Sequence, residues 1–105
     1  MNKAKRDRLT AAGWRSGDAA DFLELTEDEA AFVELKLALA DYLRDLRVRN
    51  SWTQSQVARR LGSSQSRVAK MEAADASVSL DLLVKSLLAL GASRSEVGRV
   101  IAKAA

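Results

Sequence analysis

The chain of 105 residues contains no cysteine, no histidine and no proline. Without cysteine there is no disulfide framework, and without cysteine and histidine an ordinary zinc site lacks its usual ligands. The same absences remove the Cys–His and Ser–His–Asp groups of nucleophilic catalysis. We therefore expect a protein that is not an enzyme and that uses no metal and no cofactor.

Long apolar runs are missing as well. No run approaches the roughly 20 residues that span a membrane, and the N-terminus is too charged for a signal peptide. The length corresponds to one domain with a helical core and little room for a large cleft. The expectation is a cytoplasmic protein that does not bind a membrane.

Charge is unevenly distributed although the net charge is only +3. Residues 47–72 carry six basic side chains and one acidic side chain, whereas residues 18–34 carry seven acidic side chains and no basic one. A local excess of positive charge is what contact with phosphate groups requires. The basic segment therefore predicts a nucleic-acid partner, and the acidic segment needs a separate explanation.

Helical spacing and helix-start signals recur from residue 26 onward. Thr26 with Glu29 forms a capping-box pattern, and apolar spacing continues to Asn50, which predicts one helix of roughly 24 residues. Further helix starts are predicted at Thr53 with Gln56 (to Leu61), Ser64 (to about Ala73), Ser79 (to Gly91) and Ser93 with Glu96. Since proline is absent and no alternating strand pattern persists, the predicted fold class is all-α.

Residues 1–25 lack clear periodicity, and no helix is predicted there. We interpret them as a flexible or loosely docked N-terminal arm, with Trp14, Phe22 and Leu23 as side chains that could attach it. The predicted domain comprises residues 26–105.

The segment 52–72 has the spacing of two short helices that cross closely. Val57, Ala58 and Leu61 form one apolar stripe, Val68 and Met71 form another, and Gly62 between them tolerates the positive φ that ends a helix. This spacing is typical of a helix-turn-helix motif, predicted here at residues 53–72, whose second helix enters the major groove of DNA.

Read residue by residue, the segment 47–90 resembles the XRE family, the lambda-repressor and Cro-like helix-turn-helix proteins. The likeness covers somewhat under half of the chain and rests on the apolar, alanine, glycine and Thr-Gln positions of one continuous segment. It implies a five-helix lambda-repressor-like DNA-binding domain, here with an N-terminal extension.

The resemblance also implies roles for single residues. Base contacts are expected from Gln65, Ser66, Arg67 and Lys70, and phosphate contacts from Thr53, Gln54 and Ser64. Arg47 and Glu72 are placed as a partly buried structural ion pair. Trp52 is interpreted as an apolar contact between helices, and Arg59 and Arg60 as a solvated face.

Three positions depart from the family pattern. Ser63 replaces an apolar turn residue, Ala73-Ala74 replaces a glycine after the second motif helix, and Asn50-Ser51 replaces a glycine before the motif. We expect that the second motif helix could run on through the alanines, and that Asn50 could adopt the left-handed conformation.

One domain of this kind buries little DNA surface, so we expect a homodimer on a palindromic operator of double-stranded DNA. The dimer contact could come from Val97, Val100 and Ile101, which we prefer, or from Phe32, Val33 and Leu37. Alternatively, these residues complete the core of the monomer.

The layout also resembles small stand-alone XRE proteins, among them HigA-like antitoxins of type II toxin–antitoxin pairs. This likeness implies an autorepressor whose acidic segment binds a small basic RelE-like toxin. The alternatives are a dimeric repressor without a toxin partner and a protein-interaction module built on the same scaffold.

Overall fold

The computed structural model describes residues 3–12 and 26–104, and all regular structure within these ranges is helical. Six helices follow one another: α1 (Lys3–Ala11), α2 (Glu27–Arg49), α3 (Gln54–Leu61), α4 (Gln65–Glu72), α5 (Leu80–Ala89) and α6 (Arg94–Lys103). The predicted all-α class is confirmed for the described residues. None of these six helices combines the length and hydropathy needed to cross a membrane.

Side chains three residues apart determine where these helices begin. At the start of α3, the Thr53 hydroxyl oxygen accepts from the backbone N–H of Gln56 at 3.0 Å, and the Gln56 side chain accepts from the Thr53 N–H at 2.8 Å. Ser93 and Glu96 make the same reciprocal pair at α6. Two of the three predicted capping boxes are therefore confirmed.

The third capping box, at α2, is only half formed. Thr26 accepts from the backbone N–H of Glu29 at 3.2 Å, as predicted. The Glu29 carboxylate, however, accepts from the Thr26 hydroxyl at 3.1 Å rather than from its backbone. The helix start is still satisfied, because one hydroxyl group provides both contacts.

The long helix α2 is the centre of the molecule and packs against α4, α5 and α6. The largest fully buried side chains of the core are Leu9, Leu39, Leu43, Met71, Leu83, Leu87, Val57 and Val68. Val33 and Leu37 belong to the same core and complete the monomer, so they do not form an exposed dimer surface. Phe32, in contrast, is 47% exposed.

The helix α1 was not predicted from the sequence, and it docks against the core. Leu9 is completely buried in the main core, and Arg8 forms an ion pair with Asp41 of α2. The carbonyl of Ala12 accepts from the N–H of Ala76, in the connection between α4 and α5, at 3.2 Å. A single apolar side chain gives no periodicity, which is why this helix leaves no pattern in the sequence. Trp14, Phe22 and Leu23 lie outside the described residues.

Two non-glycine residues at the ends of the motif have positive φ angles. Ser51 (φ 57°) lies between α2 and α3, and Ala74 (φ 55°) follows α4. Asn50, expected to adopt this conformation, has φ −91°. The helix α4 ends at Glu72 and does not run on, because Ala74 takes the left-handed conformation that a glycine would take more easily.

Candidate nucleic-acid interface

The helices α3 and α4 are held together by a small apolar contact and a tight turn. Val57 and Ala58 of α3 and Val68 of α4 are buried at the contact. Gly62 ends α3 with φ 63°, where a side chain would be strained, and the N–H of Ser63 then donates to the carbonyl of Ala58 at 2.8 Å. Ser63 itself is exposed, so the missing apolar turn residue leaves no buried polar group.

The helix α4 has one buried face and one exposed face. Val68, Met71 and Glu72 are buried. The four residues predicted to contact bases are all exposed: Gln65, Ser66, Arg67 and Lys70. The helix therefore presents two cationic side chains, an amide and a hydroxyl on its solvent side.

The N-termini of α3 and α4 carry the residues predicted to contact phosphate. Thr53 and Ser64 are exposed, and Gln54 is half-buried at the first position of α3. Ser64 caps α4 by accepting from the backbone N–H of Arg67 at 3.2 Å. The first backbone N–H groups of a helix have no partner within the helix, which makes such an end attractive to anions.

The structure brings Arg47 and Glu72 together as a bidentate ion pair. The Nε and Nη2 atoms of Arg47 lie 2.5 and 3.0 Å from the two carboxylate oxygens of Glu72. The third nitrogen, Nη1, donates to the carbonyl of Trp52 at 3.1 Å. Hydrogen bonding to Glu72 raises the pKa of Arg47 above its ordinary value. The pair joins the end of α2 to the end of α4.

Two glutamine side chains continue this network to the surface, which sequence reasoning did not foresee. The amide nitrogen of Gln54 lies 3.3 Å from Glu72 Oε1, and that of Gln65 donates to the Gln54 amide oxygen at 2.6 Å. The available signal was that glutamine occupies the first position of both motif helices. Because these positions meet only when α3 and α4 cross, spacing alone did not reveal the contact.

Arg60 also has a contact that its sequence context did not indicate. Its guanidinium lies 4.2 Å from the centroid of the Trp52 ring, a cation–π geometry. Trp52 is half-buried, packs against the core, and lines a surface depression together with Thr53 and Gln54. Arg59 is simply exposed, as expected for a solvated face.

A short helix, a left-handed turn, and a second helix with a polar and basic outer face define a helix-turn-helix protein, a class that binds DNA. A family model described as helix-turn-helix domain matches residues 38–100, more than half of the chain, and the chain belongs to this family. This membership implies a DNA-binding regulator. Neither the curated proteins nor the solved structures gave a match.

Proposed function

We propose that the protein is a sequence-specific transcriptional regulator of the XRE type that binds a palindromic operator as a homodimer and represses its own transcription. The observation that supports this most strongly is that helix α4 has one buried apolar face and one exposed polar and basic face. Its buried residues Val68 and Met71 fix the helix in the fold. Its exposed side then holds side chains suited to base edges and phosphates. We assign the protein no catalytic role.

The chemistry of the exposed side suggests how bases are read. Arginine can donate two hydrogen bonds to guanine, and glutamine can pair with adenine through one donor and one acceptor. We assign base contact to Arg67 and Gln65, with Ser66 and Lys70 beside them. Phosphate contact is assigned to the two helix starts, at Thr53, Gln54 and Ser64, which would fix the register of the domain on the duplex.

Dimerisation is proposed through the C-terminal helices. Leu88 of α5 and Ile101 of α6 are 40% and 39% exposed. Val97 is buried in the core of the monomer, so it no longer counts among the candidates for this surface. A single domain buries only about 600–1,000 Å² on DNA, and a symmetric pair of half-sites would double that area.

The test is quantitative binding of the full chain to duplexes that cover its own promoter. Arg67→Ala should weaken operator binding and relax the preference at one base pair by about tenfold. Arg99→Ala, an exposed arginine on α6, is the matched control that should leave the preference unchanged. Equal losses on operator and random DNA would contradict base reading by Arg67, and affinity that does not change with salt would contradict phosphate binding.

A second candidate function, an antitoxin, is favoured by the start of α2. Glu27, Asp28 and Glu29 are exposed there, one turn from the exposed aromatic ring of Phe32. An acidic surface with one large apolar side chain suits a small basic protein such as a RelE-like toxin. Without such a partner, the same protein would act as a stand-alone repressor.

Purification of the tagged protein from its own host distinguishes these two roles. A small basic protein at near-equal amount, lost on Phe32→Ala but kept on Val48→Ala, would support the antitoxin role. Recovery of operator DNA without a protein partner would support the stand-alone repressor. Recovery of a protein partner with no DNA binding at any salt concentration would support a protein-interaction module.

A further inference from the structure

We propose that α1 positions α4 for DNA binding, because it holds the connection that follows α4 (residues 73–79) and so keeps the last turn of α4 in place. The inference rests on the proposed function, in which the exposed side of α4 contacts DNA. No residue of α1 touches DNA in this proposal. Leu9 is the positioning residue, since its burial docks α1 on the core.

The end of α4 is strained. Ala74 has φ 55°, a conformation that alanine adopts at a cost and that glycine adopts freely. It lets the N–H of Asp75 donate to the carbonyl of Lys70 at 3.0 Å, while the N–H of Ala74 donates to the carbonyl of Met71 at 3.1 Å. These two hydrogen bonds close the last turn and depend on the left-handed residue. Contacts beyond α4 therefore have to offset the strain.

The connection after α4 receives such a contact from α1. The N–H of Ala76 donates to the carbonyl of Ala12 at 3.2 Å. The next two N–H groups find local partners: that of Ser77 donates to the Asp75 carboxylate at 2.9 Å, and that of Val78 to the Asp75 carbonyl at 3.0 Å. Of these three N–H groups, the one of Ala76 ties the connection to a distant part of the chain.

The helix α1 is itself fixed to the rest of the domain. Leu9 belongs to the same apolar core as Ala74, and both side chains are completely buried. Two ion pairs attach the polar side of α1 to α2: Arg8 with Asp41, and Lys5 with Glu34. The carbonyl that holds the connection is therefore carried by an element anchored on the central helix.

The consequence for DNA binding concerns Lys70. This residue is exposed in the last turn of α4, and its carbonyl accepts the hydrogen bond from Asp75. Gln65 and Arg67 lie in the first turn, which Ser64 caps. When α1 undocks, we expect the last turn to open and Lys70 to lose its position at the DNA. The first turn should keep its contacts.

The first test uses the full chain without DNA. Leu9→Ala removes the side chain that docks α1. The NMR order parameter of the Asp75 N–H should then fall from the rigid value of about 0.85 toward about 0.6, while that of Val68 stays unchanged. Thr10→Ala, on the exposed side of α1, is the matched control that should change neither value.

A rescue variant distinguishes positioning from a general loss of core packing. Adding Ala74→Gly to Leu9→Ala places glycine where the chain is left-handed, so the last turn should close without help from α1. The order parameter of the Asp75 N–H should return toward about 0.85. A defect confined to the core around Leu9 would not be corrected by a change at position 74.

The second test measures binding of the full chain to duplexes that cover its own promoter. Leu9→Ala should weaken binding about fivefold, which corresponds to ordering the backbone of one residue on the DNA. Adding Leu9→Ala to Lys70→Ala should cause no further loss, because both substitutions act through the same contact. The preference at the base pair that Arg67 contacts should be retained.

The outcomes separate this inference from the proposed function. An unchanged order parameter at Asp75 in Leu9→Ala would overturn the role of α1, and so would additive losses for Leu9→Ala and Lys70→Ala. If circular dichroism shows Leu9→Ala to be unfolded, Leu9→Val removes less of the side chain and serves in the same two tests. Failure of the unaltered protein to bind any DNA would refute the proposed function, while the order parameters still decide whether α1 holds α4.

Discussion

Ion pairs join α2 to two neighbouring helices, α1 and α4, and the pairs differ in their exposure to water. Between α1 and α2, the side chains of Arg8 and Asp41 are 37% and 53% exposed, and those of Lys5 and Glu34 are 35% and 15% exposed. Between α2 and α4, those of Arg47 and Glu72 are 17% and 6% exposed. An exposed pair exchanges its partner for water at little cost, whereas a buried pair leaves an uncompensated charge when one member is lost.

Besides these ion pairs, α1 is attached by an apolar contact and by its backbone. Leu9 is completely buried, and the carbonyl of Ala12 accepts a hydrogen bond from Ala76. The motif end of α2 depends instead on a polar network that reaches the DNA-facing surface. The comparison predicts different responses to substitution, to salt and to pH.

The largest effect is expected at the motif end. Arg47→Ala leaves the Glu72 carboxylate buried without its partner, which should lower the free energy of unfolding by about 3–5 kcal/mol. Urea unfolding followed by circular dichroism measures this change. Arg94→Ala, an exposed arginine at the start of α6, is the control that should change little. A loss under about 1 kcal/mol for Arg47→Ala would show that water replaces the guanidinium.

The next largest effect is expected at Leu9. Leu9→Ala removes a fully buried side chain from the core, and should cost about 2–3 kcal/mol, toward the lower end for such a substitution because a terminal helix can undock. Val48→Ala, 57% exposed, is the matched control, with an expected change within about 0.5 kcal/mol. Equal losses in the two variants would contradict the docked position of α1.

A small and salt-dependent effect is expected for the exposed ion pair. Arg8→Ala should cost less than about 1 kcal/mol at low ionic strength, and this loss should shrink further in 1 M salt. A double-mutant cycle with Asp41→Ala measures the coupling of the two residues directly. Coupling as large as the Arg47 effect, or independent of salt, would remove the contrast between the Arg8–Asp41 and the Arg47–Glu72 ion pairs.

The subtlest prediction concerns Lys36, which is buried in the N-terminal half of α2. Burial lowers the pKa of Lys36 below its ordinary value of 10.5, and the nearby charge of Asp75 partly opposes this shift. A lowered pKa means that the charged lysine destabilises the folded state at neutral pH. This destabilisation decreases as the pH rises from the pKa of Lys36 in the folded protein toward 10.5. Near pH 10.5 the lysine of the unfolded chain also loses its proton.

Lys36→Met removes this titration and is the natural comparison. Between neutral pH and about 10.5, the free energy of unfolding of the unaltered protein should rise relative to that of the variant. Urea unfolding of both proteins over this range provides the measurement. A difference that stays constant with pH would mean that the pKa of Lys36 is the same in both states.

The motif region was predictable because its signals are local. Each helix start is marked by a hydroxyl side chain and a residue three positions on, and Gly62 marks the turn, so residues 53–72 folded as their sequence indicates. The helix α1 was not predictable in this way. Its place in the fold depends on one buried leucine and on contacts with residues more than 25 positions away.

In the candidate site, too, some features could be predicted from the sequence and others could not. The exposed positions of α4 follow from helical spacing, which placed Val68 and Met71 inside and Arg67 outside. The contact between Gln54 and Gln65 does not, because it needs the crossing of α3 and α4 to bring two helix starts within hydrogen-bond distance. Ala74 adopted a conformation that its residue type disfavours, since the packing after α4 requires it.

Ser51 has a left-handed backbone conformation, so a substitution at this position should stabilise the protein. Its side chain is exposed, so a change to glycine removes backbone strain of about 1 kcal/mol without removing a buried contact. A population selected for growth at higher temperature should therefore recover glycine at position 51 early, and its absence from such a selection would indicate that the hydroxyl is retained for DNA. The connection between α2 and α3 is thus a place where one substitution should raise the thermal stability of the protein.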